Sequence, residues 1–372
     1  MKASFAWAKG ARLVAGGAGV EADLRLALSG APFRIGGANN EKLGALEAGA
    51  GQFETLTSGS SGAPRRIVRT MESWMASFAV NARLFGIGEG CHVAVLGGLE
   101  QSLALYGAVE SLHLGADLSV LGGMPPSQQM AALAAVDVLW ASPAQLRLLL
   151  SAAGELPRLR HVIIGGSKLD DALRAELHAR MGAQVAEFYG AAEASFITLA
   201  QAGAVSASVG VPYLKVDLRV QDGEVWLRSP YTFLRYAGGD QGSARWVDGW
   251  LSVGEMGRLA GGHLYLHGRA GRMVTVADHN VFPEEIEARM MALAGVRQAA
   301  VLPRRDALRG VHMVAVAQGD AAQEAAILAV LRGEFGPLKA PKSIQWRCDW
   351  PCLPSGKTDL RALQAEVDAW PL

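Results

Sequence analysis

The chain has 372 residues, half of them hydrophobic and 19% charged. That composition supplies a large buried core and excludes a disordered polypeptide. Lys plus Arg and Asp plus Glu balance at 35 each, so charge gives no reason to expect a nucleic-acid or acidic-membrane partner.

The opening "MKASFAWAKGARLVAGG" is interrupted by Lys9 and Arg12, so it lacks the continuous apolar stretch of a signal peptide. The most apolar region, 93–124, contains Glu100, Glu110, His113 and Asp117, and no membrane span is expected. The expectation is a cytoplasmic protein. Cys91, Cys348 and Cys352 are an odd number of cysteines and suggest no disulfide framework. Cys348 and Cys352 lack a second Cys/His pair at ligand spacing, so they read as thiols in a reducing compartment.

From residue 70 the pattern alternates. "MESWMASFAVNARLF" has apolar residues at helical spacing, and "HVAVLG" is a short β-rich run ending in glycine. "QSLALYGAVESLHL" is helical, "DLSVLGG" a strand, and "MPPSQQMAALAA" a helix with proline in its first turn. The strand "VDVLWA" leads into "SPAQLRLLLSAA", whose Ser-Pro start is an N-cap signature. "LRHVIIGG" (strand), "DDALRAELHARM" (helix) and "AQVAEFYG" (strand) complete the series. Repeated βα units of this size predict a parallel sheet covered by helices. After about residue 205, "LKVDLRVQDGEVWLRSPYTFLRY" predicts strands around a tight Asp-Gly turn. The last hundred residues mix helices such as "FPEEIEARMMALAG" with strands such as "VHMVAVAQG". The pattern predicts a large α/β body, a β-rich part at about 205–268, and a small α+β domain starting near Gly268–Arg272.

Several stretches carry chemistry. "TLTSGSSGAPRRI", residues 55–67, is rich in Thr, Ser, Gly and Pro. Composition leaves two readings, a linker or a loop whose backbone N–H groups hold phosphate. "VIIGGSKL" and "EFYGAAEASF" place glycines, an aromatic ring and Glu193 at strand ends, where parallel sheets bind ligands. Glu255 and Arg269 follow in "GWLSVGEMGRL" and "LHGRAGRMV"; such a pair can meet ribose or phosphate oxygens. "SGKT" at 355–358 ends like a Walker loop, but Pro351 stands where its first glycine belongs, so that reading fails. Lys357 remains a candidate to neutralise a carboxylate or phosphate oxygen, against a solvated lysine.

Taken in order, "TSGSSGAPR", "GGSKL", "EFYGAAE", "GEVWLRSPYTFLRY", "GWLSVGEMGRL", "GHLYLHGRAGRMVTVADHNVFPEEIE" and "LPSGKTDLRAL" resemble motifs of the adenylate-forming superfamily of acyl- and aryl-CoA synthetases, luciferases and peptide-synthetase adenylation domains. The likeness runs from about Phe53 to Leu363 and is nearest in size to short bacterial acyl-CoA ligases. It implies an α/β fold: a large domain, 1–270, with its phosphate loop at 57–65, and a small mobile α+β lid, 271–372. It also implies an N-terminally shortened member whose exposed apolar surface a homodimer would cover.

The resemblance implies ATP- and Mg²⁺-dependent activation of a carboxylic acid to an acyl adenylate, then transfer to the thiol of coenzyme A. By this likeness Thr57, Ser58, Gly59, Ser60, Ser61, Gly62 and Arg65 bind phosphates. Tyr189 stacks on adenine opposite Gly166 and Ser167, with Glu187 and Phe188 beside it. Glu193 holds magnesium, Glu255 and Arg269 bind ribose, and Gln101, Gly190 and Ala191 border the acyl pocket. Lys357 bridges the substrate carboxylate and α-phosphate, and Arg272 is the hinge. The sequence departs from the family at Arg65 for Lys, Ala192 for Thr, Glu255 for Asp, Arg272 for Asp or Lys, and Ala277-Asp278 for a Gly-Gly. The alternatives are a ligase that loads a carrier-protein phosphopantetheine and a weakened nucleotide-binding homologue.

Overall fold

The computed structural model describes residues 4–36, 43–57, 65–156, 158–200, 207–239, 242–306, 310–353 and 357–370. Its centre is an eight-stranded sheet. In spatial order the strands are Leu13–Ala15, Asp117–Val120, His92–Val95, Val138–Ala141, His161–Ile164, Gln184–Ala191, Ser195–Ala200 and Val211–Pro212. Pairing is parallel as far as Gln184–Ala191, and the last two pairs are antiparallel. The predicted βα units therefore form the parallel sheet expected of them.

Side-chain alternation builds a core on each face. Val93, Val95, Val138 and Trp140 join Trp74, Phe78 and Val109 on one side. Ala94, Leu139 and Ala141 join Leu146, Ile164 and Leu173 on the other. Local chemistry sets the covering helices. Thr70 caps Met71–Phe85 by accepting from Ser73 N–H, and Gly86 ends it in the left-handed region. Ser142 and Gln145 form a reciprocal capping box on Pro143–Leu150.

Chain order reverses at His92–Val95. The next strand, Asp117–Val120, lies on one side of it and Val138–Ala141 on the other. A crevice opens at such a switch point, at the carboxyl ends of the strands.

A four-stranded sheet orders Arg235–Tyr236, Arg66–Thr70, Gln52–Leu56 and Phe33–Arg34. Its charged residues are buried in pairs rather than alternating to solvent. Arg34 Nη1 lies 2.8 Å from Glu54 Oε2 and Arg66 Nη1 lies 3.6 Å from it. The β-rich part is a sheet around Glu224–Arg228, joined to Asp217–Gln221 by Asp222 (φ 52°) and Gly223 (φ 79°), the two positive φ values of a type I′ turn.

From Val274 onward the buried residues form separate cores. Ile286, Met290, Val301, Ala315 and Leu331 cluster on one face of the sheet Val296–Asp306, Gly310–Gly319 and Ile344–Trp346. Ala300, Val314, Val316, Leu363 and Val367 cluster on the other. The hairpin Val274–Val276/His279–Val281 turns through Ala277 (φ 46°) and Asp278 (φ 64°). A two-residue loop needs positive φ at both positions, which glycine supplies without Cβ strain and alanine does not.

Beneath the central sheet lies a sealed polar group. Glu110 is fully buried. Its Oε1 accepts from Asn81 Nδ2 at 2.8 Å and Tyr106 OH at 3.2 Å. Tyr213 OH donates to Asn81 Oδ1 at 2.6 Å. Burial pushes the Glu110 carboxyl up from 4.5 to about 8, against the Asn81 and Tyr106 hydrogen bonds that favour its charge.

Two outcomes follow. Between pH 4.5 and about 8 the folded chain holds a Glu110 proton that the unfolded chain has released, so stability falls as pH rises across that window. Urea midpoints from pH 5 to 9 should show this fall reduced in Glu110→Gln; parallel curves for variant and parent would contradict it. Ala277→Gly should stabilise the chain by about 1 kcal/mol by removing a left-handed Cβ, read as a raised urea midpoint.

Candidate functional site

A cavity of about 510 Å³ opens at the carboxyl ends of the central strands. Gly97 and Gln101 reach it after one strand, Ser142 and Gln145 after the next, and Gly165 and Gly166 after the third. Each strand end delivers its loop to the same crevice.

The loop ends at Thr57 and Arg65 also line it. Thr57 N–H donates to the Arg65 carbonyl at 2.9 Å, and Arg65 N–H donates to Thr57 Oγ1 at 3.0 Å. The strands Gln52–Leu56 and Arg66–Thr70 thus bring the two ends of the glycine-rich segment together. Ser58, Gly59, Ser60, Ser61 and Gly62 lie outside the described residues.

Glu193 occupies the turn between Gln184–Ala191 and Ser195–Ala200. Its Oε1 accepts from Tyr236 OH at 2.8 Å, and its carbonyl accepts from Phe233 N–H at 2.7 Å. Ser195 holds a left-handed φ of 55°, strain that the surroundings must maintain. Arg69 does so. It is fully buried, donates to Ser195 Oγ at 2.8 Å, and donates also to the carbonyls of Ala192 and Tyr231. Burial lowers its pKa to about 9, so it stays cationic at neutral pH.

Glu255 and Arg269 are cross-strand partners. Arg269 Nε lies 3.0 Å from Glu255 Oε1, and Glu255 is 7% exposed. Burial raises the Glu255 pKa against the pull of Arg269 and Lys357. Lys357 lines the same cavity. Burial, then the Arg269 charge, lowers its ammonium from 10.5 to about 8, while Glu255 and Glu193 oppose them. Leu353 N–H donates to the Lys357 carbonyl at 2.8 Å, and Trp350 Nε1 donates to Thr358 Oγ1 at 3.0 Å, holding Lys357 in place.

The arrangement thus gathers Lys357, Arg269, Glu255 and Glu193 from distant parts of the chain. Gln101, Gly190 and Ala191 line the cavity too. A Cβ on Gly190 would strike the Ser195 carbonyl, which explains the glycine. Strand alternation turns Phe188 and Gly190 toward the cavity. Tyr189, between them, carries a buried hydroxyl without a hydrogen-bond partner among the described residues and sits close enough to Glu255 and Arg269 to feel their charges. Gly166 lines the cavity, while Ser167 is exposed outside it. Glu187 is turned to the next helix instead: it accepts from Leu169 N–H at 2.8 Å and pairs with Arg174. Arg272 makes a bidentate pair with Glu287, at 3.0 and 2.7 Å.

Sequence reading missed Arg69, Tyr236, Gln145 and the rings of Trp74 and Trp140, while Tyr106 and Phe196 fall in the stretches 101–106 and 190–196 expected to contribute to the pocket. Only Arg69 left a signal, as a charge inside the apolar run "RIVRT". Among the described residues no three His, Cys, Asp or Glu gather as metal ligands, so a magnesium ion held by Glu193 needs its other oxygens from phosphate and water. Among them, too, no helix is long and apolar enough to cross a membrane.

Residues 53–237 match the family model of the AMP-binding enzymes, and residues 285–357 match that of the AMP-binding enzyme C-terminal domain. An uncharacterized acyl–CoA ligase of Bacillus subtilis, YhfT, is 29% identical over 320 residues, covering 81% of this chain and 66% of its own. The fatty acid–[acyl-carrier-protein] ligase ScoC of Streptomyces coeruleorubidus is 25% identical over 350 residues, 84% of this chain and 66% of its own. The chain therefore spans slightly less than two thirds of these relatives. In structure it is similar to ATP-bound MatB from Rhodopseudomonas palustris, with a TM-score of 0.74 at 23% identity over 85% of this chain and 68% of that one.

Replacing Arg69 by Met leaves the Ala192 and Tyr231 carbonyls without their donor and Glu193 without a neighbouring cation. The loss should be about 3 kcal/mol or more, read from urea unfolding. A change within about 0.5 kcal/mol, the range of an ordinary surface substitution, would show that Arg69 does not hold this turn.

Proposed function

The chain belongs to the AMP-binding enzymes, and from that premise we propose that it joins a carboxylic acid to a thiol at the expense of ATP. The acid's carboxylate attacks the α-phosphorus, giving an acyl adenylate and pyrophosphate. The thiol of coenzyme A then displaces AMP. The observation that carries this reading is the convergence of Lys357, Arg269 and Glu193 on the cavity, with Glu255 close enough to act on Lys357.

A carboxylate and a polyphosphate repel, and only preorganised cations let them approach. Lys357, largely desolvated and held at the cavity, supplies one between the carboxylate and the α-phosphate. Arg65 and the backbone of Thr57–Gly62 receive the phosphates that leave. Glu255 accepts from the ribose hydroxyls and Arg269 steadies it. Gly166 borders the adenine. The Glu193 carboxylate fits a hard cation, because among the described residues its side chain accepts only from Tyr236 OH, at Oε1; magnesium bound there would neutralise phosphate charge.

Residues 271–372 act in this reading as a lid that turns about Arg272, withdrawing Lys357 after adenylation so that the thiol can enter. The acceptor has a second candidate. The family's Gly-Gly is replaced at the tight Ala277-Asp278 turn, and ScoC is a carrier-protein ligase, so a carrier-protein phosphopantetheine is the alternative thiol. A cytoplasmic location agrees with these substrates.

Acid-dependent ATP–pyrophosphate exchange tests the first step. Lys357→Ala should abolish exchange and largely spare thiolysis of preformed acyl adenylate; equal loss of both would contradict the assigned role. Because the Lys357 pKa is depressed to about 8, its charge is present below that pH and lost above it. Exchange should fall as pH rises through about 8, and a flat profile to pH 9.5 would remove the ammonium from the mechanism.

A further inference from the structure

The proposed ligase site has a second end, away from its cations. Trp74, Tyr106, Trp140 and Phe196 wall it, each no more than 5% exposed. Their rings pack on one another at centroid separations of 5.0 Å (Trp74–Tyr106), 5.5 Å (Tyr106–Trp140) and 5.3 Å (Tyr106–Phe196). Phe188 closes the side, 4.6 Å from Phe196. Gly107 permits this wall: a Cβ there would lie 2.8 Å from the Trp140 ring. The Tyr106 hydroxyl is taken up by Ser77, Asn81 and Glu110 behind the wall. A wall of interlocked rings stops a long alkyl chain and offers edges and faces to a flat ring.

The polar groups at this end are fixed in sense. Ser142 N–H donates to Gln145 Oε1 at 2.8 Å as part of the helix cap. A backbone N–H can only donate, so this oxygen is identified and Gln145 Nε2 must be the donor group. Gln145 Nε2 donates to Gln101 Oε1 at 3.3 Å. Gln101 is thereby turned so that its own NH₂ has no protein partner among the described residues. Gln101 is partly buried, whereas Trp140 Nε1 is a fully buried donor with no partner among them. Buried donors without acceptors are costly unless a ligand satisfies them. The described cations that line the cavity, Arg65, Arg269 and Lys357, are accounted for at the other end, and Glu100 adds a carboxylate to the lining near Gln101.

We propose that the acid activated here is a small aromatic monocarboxylic acid bearing a neutral hydrogen-bond acceptor on its ring, read by the Gln101 NH₂, with Gln145 as the positioning residue that sets its sense. The proposal rests on the ligase reading of the same cavity. The helix-capping box thus reaches from the backbone of Ser142 through two amides to the substrate. These two loops follow the neighbouring strands that flank the switch point of the sheet.

The test is ATP–pyrophosphate exchange with benzoate, 3- and 4-methoxybenzoate, 3- and 4-aminobenzoate, terephthalate and dodecanoate. It is paired with calorimetric binding of the sulfamoyl-adenosine analogues of the same acids. One methoxybenzoate should exceed benzoate by about tenfold in kcat/KM, the worth of one hydrogen bond, and terephthalate and dodecanoate should be poor. Gln101→Leu should bring the methoxybenzoate-to-benzoate ratio to about one. Gln145→Glu still accepts from Ser142 N–H but has no donor for Gln101, so the Gln101 amide should flip and the preference should pass from methoxy to amino acids. An unchanged methoxy-to-amino ratio in both folded variants, or best activity with terephthalate or dodecanoate, overturns this proposal and leaves the ligase reading standing. Absence of exchange and of analogue binding with every acid overturns the ligase reading itself.

Discussion

The Arg69 guanidinium is the contact on which the site's geometry depends. It lies on the strand that leaves the glycine-rich loop, is fully buried, and reaches Ala192 and Ser195 in the Glu193 turn and Tyr231 in the β-rich part. A buried cation is costly unless its donors are used and a counter-charge is near. Its Nη1 and Nη2 are used by three oxygens and the field of Glu193 supplies the counter-charge, while Nε has no partner among the described residues. One side chain therefore couples the loop strand to the Glu193 turn and to the segment that carries Tyr236. The strained φ of Ser195 is tolerated because this network over-determines it.

Neighbouring buried charges extend the same logic. Glu54 receives Arg34 and Arg66 and accepts from Glu47 N–H. Glu47 in turn pairs with Arg66 and Arg235 and accepts from Gly238 N–H. These contacts tie the sheet of the glycine-rich loop to the strand Arg235–Tyr236, whose Tyr236 hydroxyl meets Glu193. The positioning of the reactive end is thus electrostatic and long-range, whereas that of the aromatic end is packing and one relayed amide orientation.

Much of the site was legible because the chain repeats a simple rule: a strand ends, and a loop of small or polar residues follows. "HVAVLGG", "VIIGG" and "EFYG" each deliver residues to the cavity. The family resemblance pointed to Gln101, Gly190 and Ala191, and all three line the cavity. Glu187 was not legible, since nothing local distinguishes a carboxylate that turns to Arg174 and Leu169 N–H from one that faces a ligand. The strands Gln52–Leu56 and Arg66–Thr70 were hidden by their charges, because a sequence pattern counts a buried ion pair as polar surface.

The sequence by itself determined the order of βα units, the helix cap at Ser142, the Asp222-Gly223 turn and the colinear motifs. These depend on residues within a few positions of each other, where backbone geometry and capping act directly. Only the tertiary structure decided that Lys357 is desolvated beside Arg269 and Glu255, that Arg69 bridges three segments, and that Gln145 Nε2 donates to Gln101 Oε1. Each is a property of neighbours brought together across scores to hundreds of residues. Desolvation and hydrogen-bond sense arise from what packs around a group, which local spacing does not encode.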